Sequence, residues 1–200
     1  MTVNLLALRG IYAMIYEPPD SIIFMKVGNH ARENFESILE RKLKEYETTG
    51  KIFWGYGGVT CHPINQVQPF AKQHLEKQGS LYIMMQYIDS NADPDILPAE
   101  QYSVDGVNWS PIPKGITVTG SRYAMILGEI KPGDLIINPS EYEVGVGSSR
   151  GKNAHDYIKG HVDKGCFVRK TLSDVRGDVE KQIKISYQAE VLEPYAVLLR

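Results

Sequence analysis

Residues 51–70, KIFWGYGGVTCHPINQVQPF, decide how this chain is read, because a strand, a turn and a helix meet inside them. Ile52, Phe53 and Trp54 suit a buried strand. Gly55, Gly57 and Gly58 follow at once and free the backbone for turns or for close approach of a ligand. From Val67 onward, Phe70, Ala71, His74 and Leu75 fall on one helical face, with Pro69 admitted in a first turn and Gly79 as terminator. Trp54 and Tyr56 beside bare backbone make a candidate pocket wall, since aromatic faces stack on planar rings and hold cations. The same residues also fit a plain connection whose aromatics pack in the core.

Working back toward the start, residues 5–8 and 11–16 read as short strands, and Pro18-Pro19-Asp20 makes the turn before a third strand over residues 21–27. Lys26 interrupts that apolar strand, an arrangement typical of an edge with the ammonium in water. Asn29 is a candidate N-cap for a helix in which Ala31, Phe35, Ile38, Leu39, Leu43 and Tyr46 recur until Gly50. Its opposite face, with Arg32, Glu33, Glu36, Glu40, Arg41, Lys44 and Glu45, is expected to be solvated.

Toward the C-terminus, residues 81–88, LYIMMQYI, are apolar without alternation, as expected for a strand buried on both faces. Residues 89–98 have loop composition. Short β runs at 104–109, 116–119, 123–127 and 135–138 are separated by Gly and Pro turns, a spacing that suggests a barrel or a strongly bent sheet. Residues 138–153, NPSEYEVGVGSSRGKN, read as a flexible segment in which Ser148, Ser149, Arg150 and Lys152 offer donors and charge to a phosphate. It carries neither the GxxxxGK[ST] nor the GxGxxG spacing. A short helix is expected near 154–161, a strand at 166–169, and two closing strands at 182–192 and 195–199 around Glu193-Pro194.

The fold class implied is α+β: a mixed, mostly antiparallel barrel or strongly bent sheet with two to three helices. Two hundred residues with no linker or repeat indicate a single domain, 1–200. Twenty-two basic against 24 acidic residues, a formal charge of −2, argue against a surface dominated by phosphate contacts. Cys61 and Cys166 are far apart and no CxxC or paired His/Cys spacing occurs, so no metal and no cofactor is expected, and a reduced cytoplasmic setting is the default. No stretch approaches the ~20 apolar residues of a membrane helix.

The order of these features resembles a known group. A lysine-bearing strand at 23–27, Phe53-Trp54-Gly55, a helix with Phe70-Ala71, Gly79, the strand at 81–88 and Lys131-Pro132-Gly133-Asp134-Leu135-Ile136 together are similar to PUA-like barrels of the EVE, YTH and ASCH kind. The resemblance spans residues 21–138, leaving a C-terminal strand extension. In that group a Pro-Gly-Asp turn leads into a barrel strand, and YTH and EVE proteins read modified bases between aromatic walls. The resemblance implies that Trp54 is such a wall, with Trp109 as a second candidate.

Three functions fit these residues. One is a module binding a nucleotide or modified nucleobase, within a nucleic acid or free, through Trp54, Tyr56, Gly57, Gly58 and Trp109, with Ser148, Ser149, Arg150 and Lys152 at the phosphate. Another is an enzyme acting on a small nucleotide-like or amide substrate, with Cys61 as nucleophile activated by His62, His155 or His161 and assisted by Asp156. Cys61 and His62 are adjacent, so on an extended chain they point to opposite sides. The third is a phage or mobile-element protein that binds a host complex through its loops.

Overall fold

The computed structural model describes residues 18–58, 61–92, 97–159, 162–171 and 182–200. The strands expected at 5–8 and 11–16, and His161, lie outside them. The first half runs β1 (Ser21–His30), α1 (Phe35–Thr49), β2 (Ile52–Gly55), α2 (Ile64–Gln78) and β3 (Tyr82–Ala92). The second half is nearly all strand: β4 (Gln101–Ser103), β5 (Ser110–Pro111), β6 (Tyr123–Leu127), β7 (Lys131–Pro132), β8 (Ile136–Ile137) and β9 (Tyr142–Val144). It closes with the short helix α3 (Ala154–Tyr157), β10 (Lys164–Arg169), β11 (Ile183–Lys184) and β12 (Tyr187–Leu199). Among the described residues no helix is long and apolar enough to cross a membrane.

The fold is α+β, with three α-helices and one large mixed sheet among the described residues. Its strand order is β2-β6-β12-β3-β1-β10-β9, and β1 with β3 is the parallel pair among otherwise antiparallel ones. Alternate residues feed opposite cores, as a period of two demands. Ile23, Ile83 and Trp54 go to one side with Phe35, Ile38, Val67 and Phe70 of the helices. Ile22, Phe24 and Met84 go to the other, with Tyr142, Ile158 and Phe167. Burial on both faces explains the unbroken apolar run at 81–88.

The sheet bends but does not close into a barrel, which corrects one form of the sequence reading. β12 pairs with β3 through Tyr187–Glu190 and with β6 through Val191 and Ala196–Leu198, and the register jumps between Val191 and Ala196. The two terminal strands never meet because each outer edge is already occupied. On β2, Lys42 Nζ donates to the Phe53 carbonyl at 2.6 Å and the Phe53 N–H donates to Glu45 at 2.7 Å. On β9, residues 145–152 fold back, with the Val144 N–H donating to the Lys152 carbonyl and the Gly151 N–H to the Val144 carbonyl.

Helix α1 begins later than Asn29 implies. β1 extends to His30, and Ala31 and Arg32 make a two-residue turn at φ 52° and 64°, closed by reciprocal His30 and Glu33 backbone bonds. Asn34 is therefore the N-cap, accepting from the Ser37 N–H at 2.8 Å, a bond worth about 1 kcal/mol, while Asn29 accepts from the Phe35 N–H. Gly50 and Gly79 end α1 and α2 in the left-handed region as the sequence suggests. Two expected strands are absent. Residues 104–109 form a turn in which Asp105 accepts the Val107 and Asn108 N–H groups, and residues 116–119 run without ladder pairing beyond a Pro98–Thr119 bridge.

Candidate functional site

A cleft of about 790 Å³ opens where the end of β1, the start of α1 and the stretch after β2 converge, within the ~300–1,000 Å³ of typical ligand sites. Its floor is β1 from Met25 onward, one wall is Trp54, Gly55, Gly57 and Gly58, and residues 117–121 continue the lining beside that wall. Asp163 and Lys164, just ahead of and at the start of β10, close one end.

Three of the residues expected at a binding site therefore do converge: Trp54, Gly57 and Gly58. Trp54 is 5 % exposed and its indole N–H is spent on the Met25 sulfur at 3.2 Å. Its ring is thereby fixed, and only a small part of it reaches the cleft. The glycines divide by role. A Cβ on Gly57 would lie 2.6 Å from the Tyr123 N, and one on Gly55 2.6 Å from Ser121 Oγ, so both are set by packing. A Cβ on Gly58 would find nothing nearer than Lys164 Nζ at 3.9 Å, so its backbone is bare toward the cleft.

The other expected binding residues lie elsewhere. Tyr56 is fully buried under the wall, its hydroxyl donating to the Phe24 carbonyl, and burial pushes its pKa well up. Trp109 flanks β5 with the Arg200 guanidinium 4.1 Å above its ring. Ser148, Ser149, Arg150 and Lys152 belong to the fold-back against β9, whose tip packs on Gln66 and His62, and none lines the cleft.

The cysteine candidates also separate. The Gly58 N–H donates to Cys61 Sγ at 2.9 Å, and the thiol donates back to the Gly58 carbonyl at 3.2 Å. His62 is turned toward Tyr157, its Nε2 3.3 Å from that hydroxyl and the rings parallel, and burial lowers its pKa. His155 and Asp156 pair with each other at 3.4 Å on α3, with Asp156 exposed. Among the described residues no recorded contact places a histidine ring on Cys61.

Charge in the cleft comes from residues the sequence did not single out for binding. Lys26 is no edge lysine: β1 is interior, and Nζ donates to the Ile158 carbonyl at 2.7 Å while burial lowers its pKa against the pull of Asp163. Lys164 lies 14 % exposed, 3.6 Å from Asp163 and 6.0 Å above the Tyr56 ring. His30 is held below its ordinary pKa by burial and then by Lys164. Arg41 grips both oxygens of Glu33, which keeps that carboxyl below the usual range. The left-handed Ala31–Arg32 turn, a costly conformation for side-chain-bearing residues, is part of the same lining. Lys26 was the one visible signal, as a charge within an apolar strand. Its partners, the Ile158 carbonyl and Asp163, lie 132 and 137 positions on, where no spacing rule reaches.

Among the described residues no group of three or more His, Cys, Asp or Glu side chains could hold a metal ion. No family model matches the chain, and no curated protein or solved structure matches it either.

Proposed function

We propose that this protein is a binding module for a nucleotide or a modified nucleobase, with a PUA-like ancestry for its bent sheet. The observation that supports this reading is the cleft of about 790 Å³ in which the fixed Trp54 ring shares a wall with the bare backbone at Gly58. A planar ring entering the cleft meets the exposed part of that indole and a glycine with no side chain, whose N–H and carbonyl are both held by Cys61. The indole N–H is already engaged, so polar readout falls to Asn29, Ser90, Ser121 and exposed backbone on the cleft lining. Stacking on one aromatic contributes roughly 1–3 kcal/mol, and micromolar affinity corresponds to about 8 kcal/mol, so several hydrogen bonds must supply the remainder.

The test is tryptophan fluorescence in a Trp109→Phe background, which leaves Trp54 as the only tryptophan. Nucleosides, nucleotides and short modified and unmodified DNA and RNA form the panel. Saturable quenching by at least one of them is expected, and Trp54→Ala, followed by calorimetry, weakens that ligand by tenfold or more. A flat response across the panel, or unchanged affinity in Trp54→Ala, would remove base binding as the function.

A further inference from the structure

The floor of the cleft is interrupted where β1 and β3 lose step. The two strands pair in register from Ile23 and Ile83 to Val27 and Tyr87 and resume at Asn29 and Asn91, so that Gly28 alone stands opposite Ile88, Asp89 and Ser90. Only glycine fits there: a Cβ on Gly28 would lie 2.5 Å from Ser90 Oγ and 2.8 Å from the Ile88 carbonyl oxygen. Gly28, Asn29, Ile88 and Ser90 all line the cleft. A bulge re-aims the side chain beside it, and on β1 that side chain is Asn29.

The Asn29 carboxamide has one orientation. Its Oδ1 accepts the Phe35 N–H at 3.0 Å, and since only the oxygen can accept, the amide cannot be turned over. Among the described residues Nδ2 has no recorded acceptor, while no buried side-chain nitrogen or oxygen lacks a partner. Nδ2 is therefore open to solvent, on a residue that lines the cleft. The hydroxyls of Ser90 and Ser121 donate or accept as a ligand demands, so they discriminate little. Asn29 presents a donor. Water serves that donor in the free protein, and its effect lies in the choice among ligands.

We propose that Asn29 sets the base preference of the cleft: Nδ2 donates to an exocyclic oxygen of the base, so that a keto base is taken in preference to its amino counterpart. This rests on the base-binding reading above and adds which group of the base is read. An amino group in the same place would set donor against donor and leave both unpaired.

The experiment compares uridine with cytidine and inosine with adenosine, as nucleosides and within short single strands that differ at that one base, by Trp54 fluorescence in W109F protein. The keto member of each pair is expected to bind at least about fivefold more tightly, the worth of about one neutral hydrogen bond. Asn29→Asp keeps an oxygen for the Phe35 N–H but turns the donor into an acceptor, and is expected to reverse the order in both pairs. Should Asn29→Asp fail to fold, Asn29→Ala carries the test by bringing the two members of each pair to within about twofold. Ser90→Ala is expected to leave the preference intact. Equal affinity within both pairs, or a keto preference that survives the Asn29 variants, overturns this inference and leaves base binding standing. No binding by either pair also overturns it, and base binding is then decided by Trp54→Ala against the wider panel of modified and unmodified ligands.

Discussion

Two groups of charged side chains line or border the same cleft, and they are built on opposite terms. Lys42 and Glu45 of α1 are 5 % and 1 % exposed, and every bond they make is internal. Lys42 reaches both Glu45 oxygens and the carbonyls of Phe53 and Thr117, while Glu45 accepts the N–H groups of the same two residues. The pair thus stands in for a missing strand between β2 and residue 117. Burial lowers the Lys42 pKa to about 8, with Glu45 holding it from falling further. Lys26 and Lys164, in contrast, are only partly buried: Lys26 Nζ donates to the Ile158 carbonyl, and Lys164 Nζ lies 3.6 Å from Asp163. A buried charge with its full complement of partners holds the fold, and a partly exposed one with a long ion pair contributes little to it.

The largest expected effect follows from that contrast. Lys42→Met strands the Glu45 carboxylate and two carbonyls, and should cost about 3–5 kcal/mol in urea unfolding. Replacing both partners by apolar residues often recovers stability. Here Lys42→Met with Glu45→Met is expected to stay within about 1 kcal/mol of the single variant, because Phe53 and Thr117 lose their partners too. Lys164→Met should cost under about 1 kcal/mol, since its ion pair is long and half open to solvent. Similar losses for Lys164→Met and Lys42→Met would break the comparison.

The glycines repeat the contrast at smaller scale. Gly57→Ala drives a methyl into the Tyr123 backbone and should destabilise by about 1–3 kcal/mol, measured by urea midpoint. Gly58→Ala meets open space and should change stability by no more than about 0.5 kcal/mol while weakening the cleft ligand. The reverse order of stabilities would mean that the wall is not arranged as described.

What the sequence made legible was local. Gly50 and Gly79 mark helix ends because a left-handed residue favours glycine, and Ile52 to Trp54 followed by glycine marks the wall. What it hid was set by distant partners. Glu45 reads as solvated because helical spacing carries no information about the β2 edge that receives it, and Leu43, placed by the pattern in the core, is 37 % exposed. The Ala31–Arg32 turn has no glycine to announce it, so Asn29 was preferred to Asn34 as the cap. The glycines and serines of residues 145–152 suggest mobility, yet their backbone closes a fold-back on Val144. Asp163 sits in unremarkable sequence and acquires meaning only beside Lys26.

A smaller effect lies on the acid side. Burial lowers the pKa of both His62 and His74, the latter bonded to Ser21 at 2.7 Å. Below about pH 6.5 the unfolded chain binds protons that these rings in the folded state do not, so stability rises with pH in that window. It should be complete above about pH 6.5 and decline as the pH falls from there toward the lowered folded values. Urea midpoints at pH 7.5 and 5.5 check this, and His62→Gln with His74→Gln should reduce the difference to the share of His30, whose pKa burial also lowers. Glu33, depressed by Arg41, contributes its own loss only at lower pH, as the medium passes through the carboxylate range.

The smallest effect is the most discriminating. Arg150 and Lys152 are exposed on the fold-back beside β9, and among the described residues neither makes a recorded side-chain bond. Arg150→Ala with Lys152→Ala should leave the urea midpoint unchanged within about 0.5 kcal/mol and leave nucleotide affinity at low salt unaltered. The serines and glycines there look like a phosphate loop by composition, but their position against β9 puts them outside the cleft that Trp54 lines. If the double variant instead weakened nucleotide binding as much as Trp54→Ala, the fold-back would belong to the ligand site. The phosphate would then belong to a surface charge far from the aromatic wall, and the ligand would have to be a strand long enough to reach both.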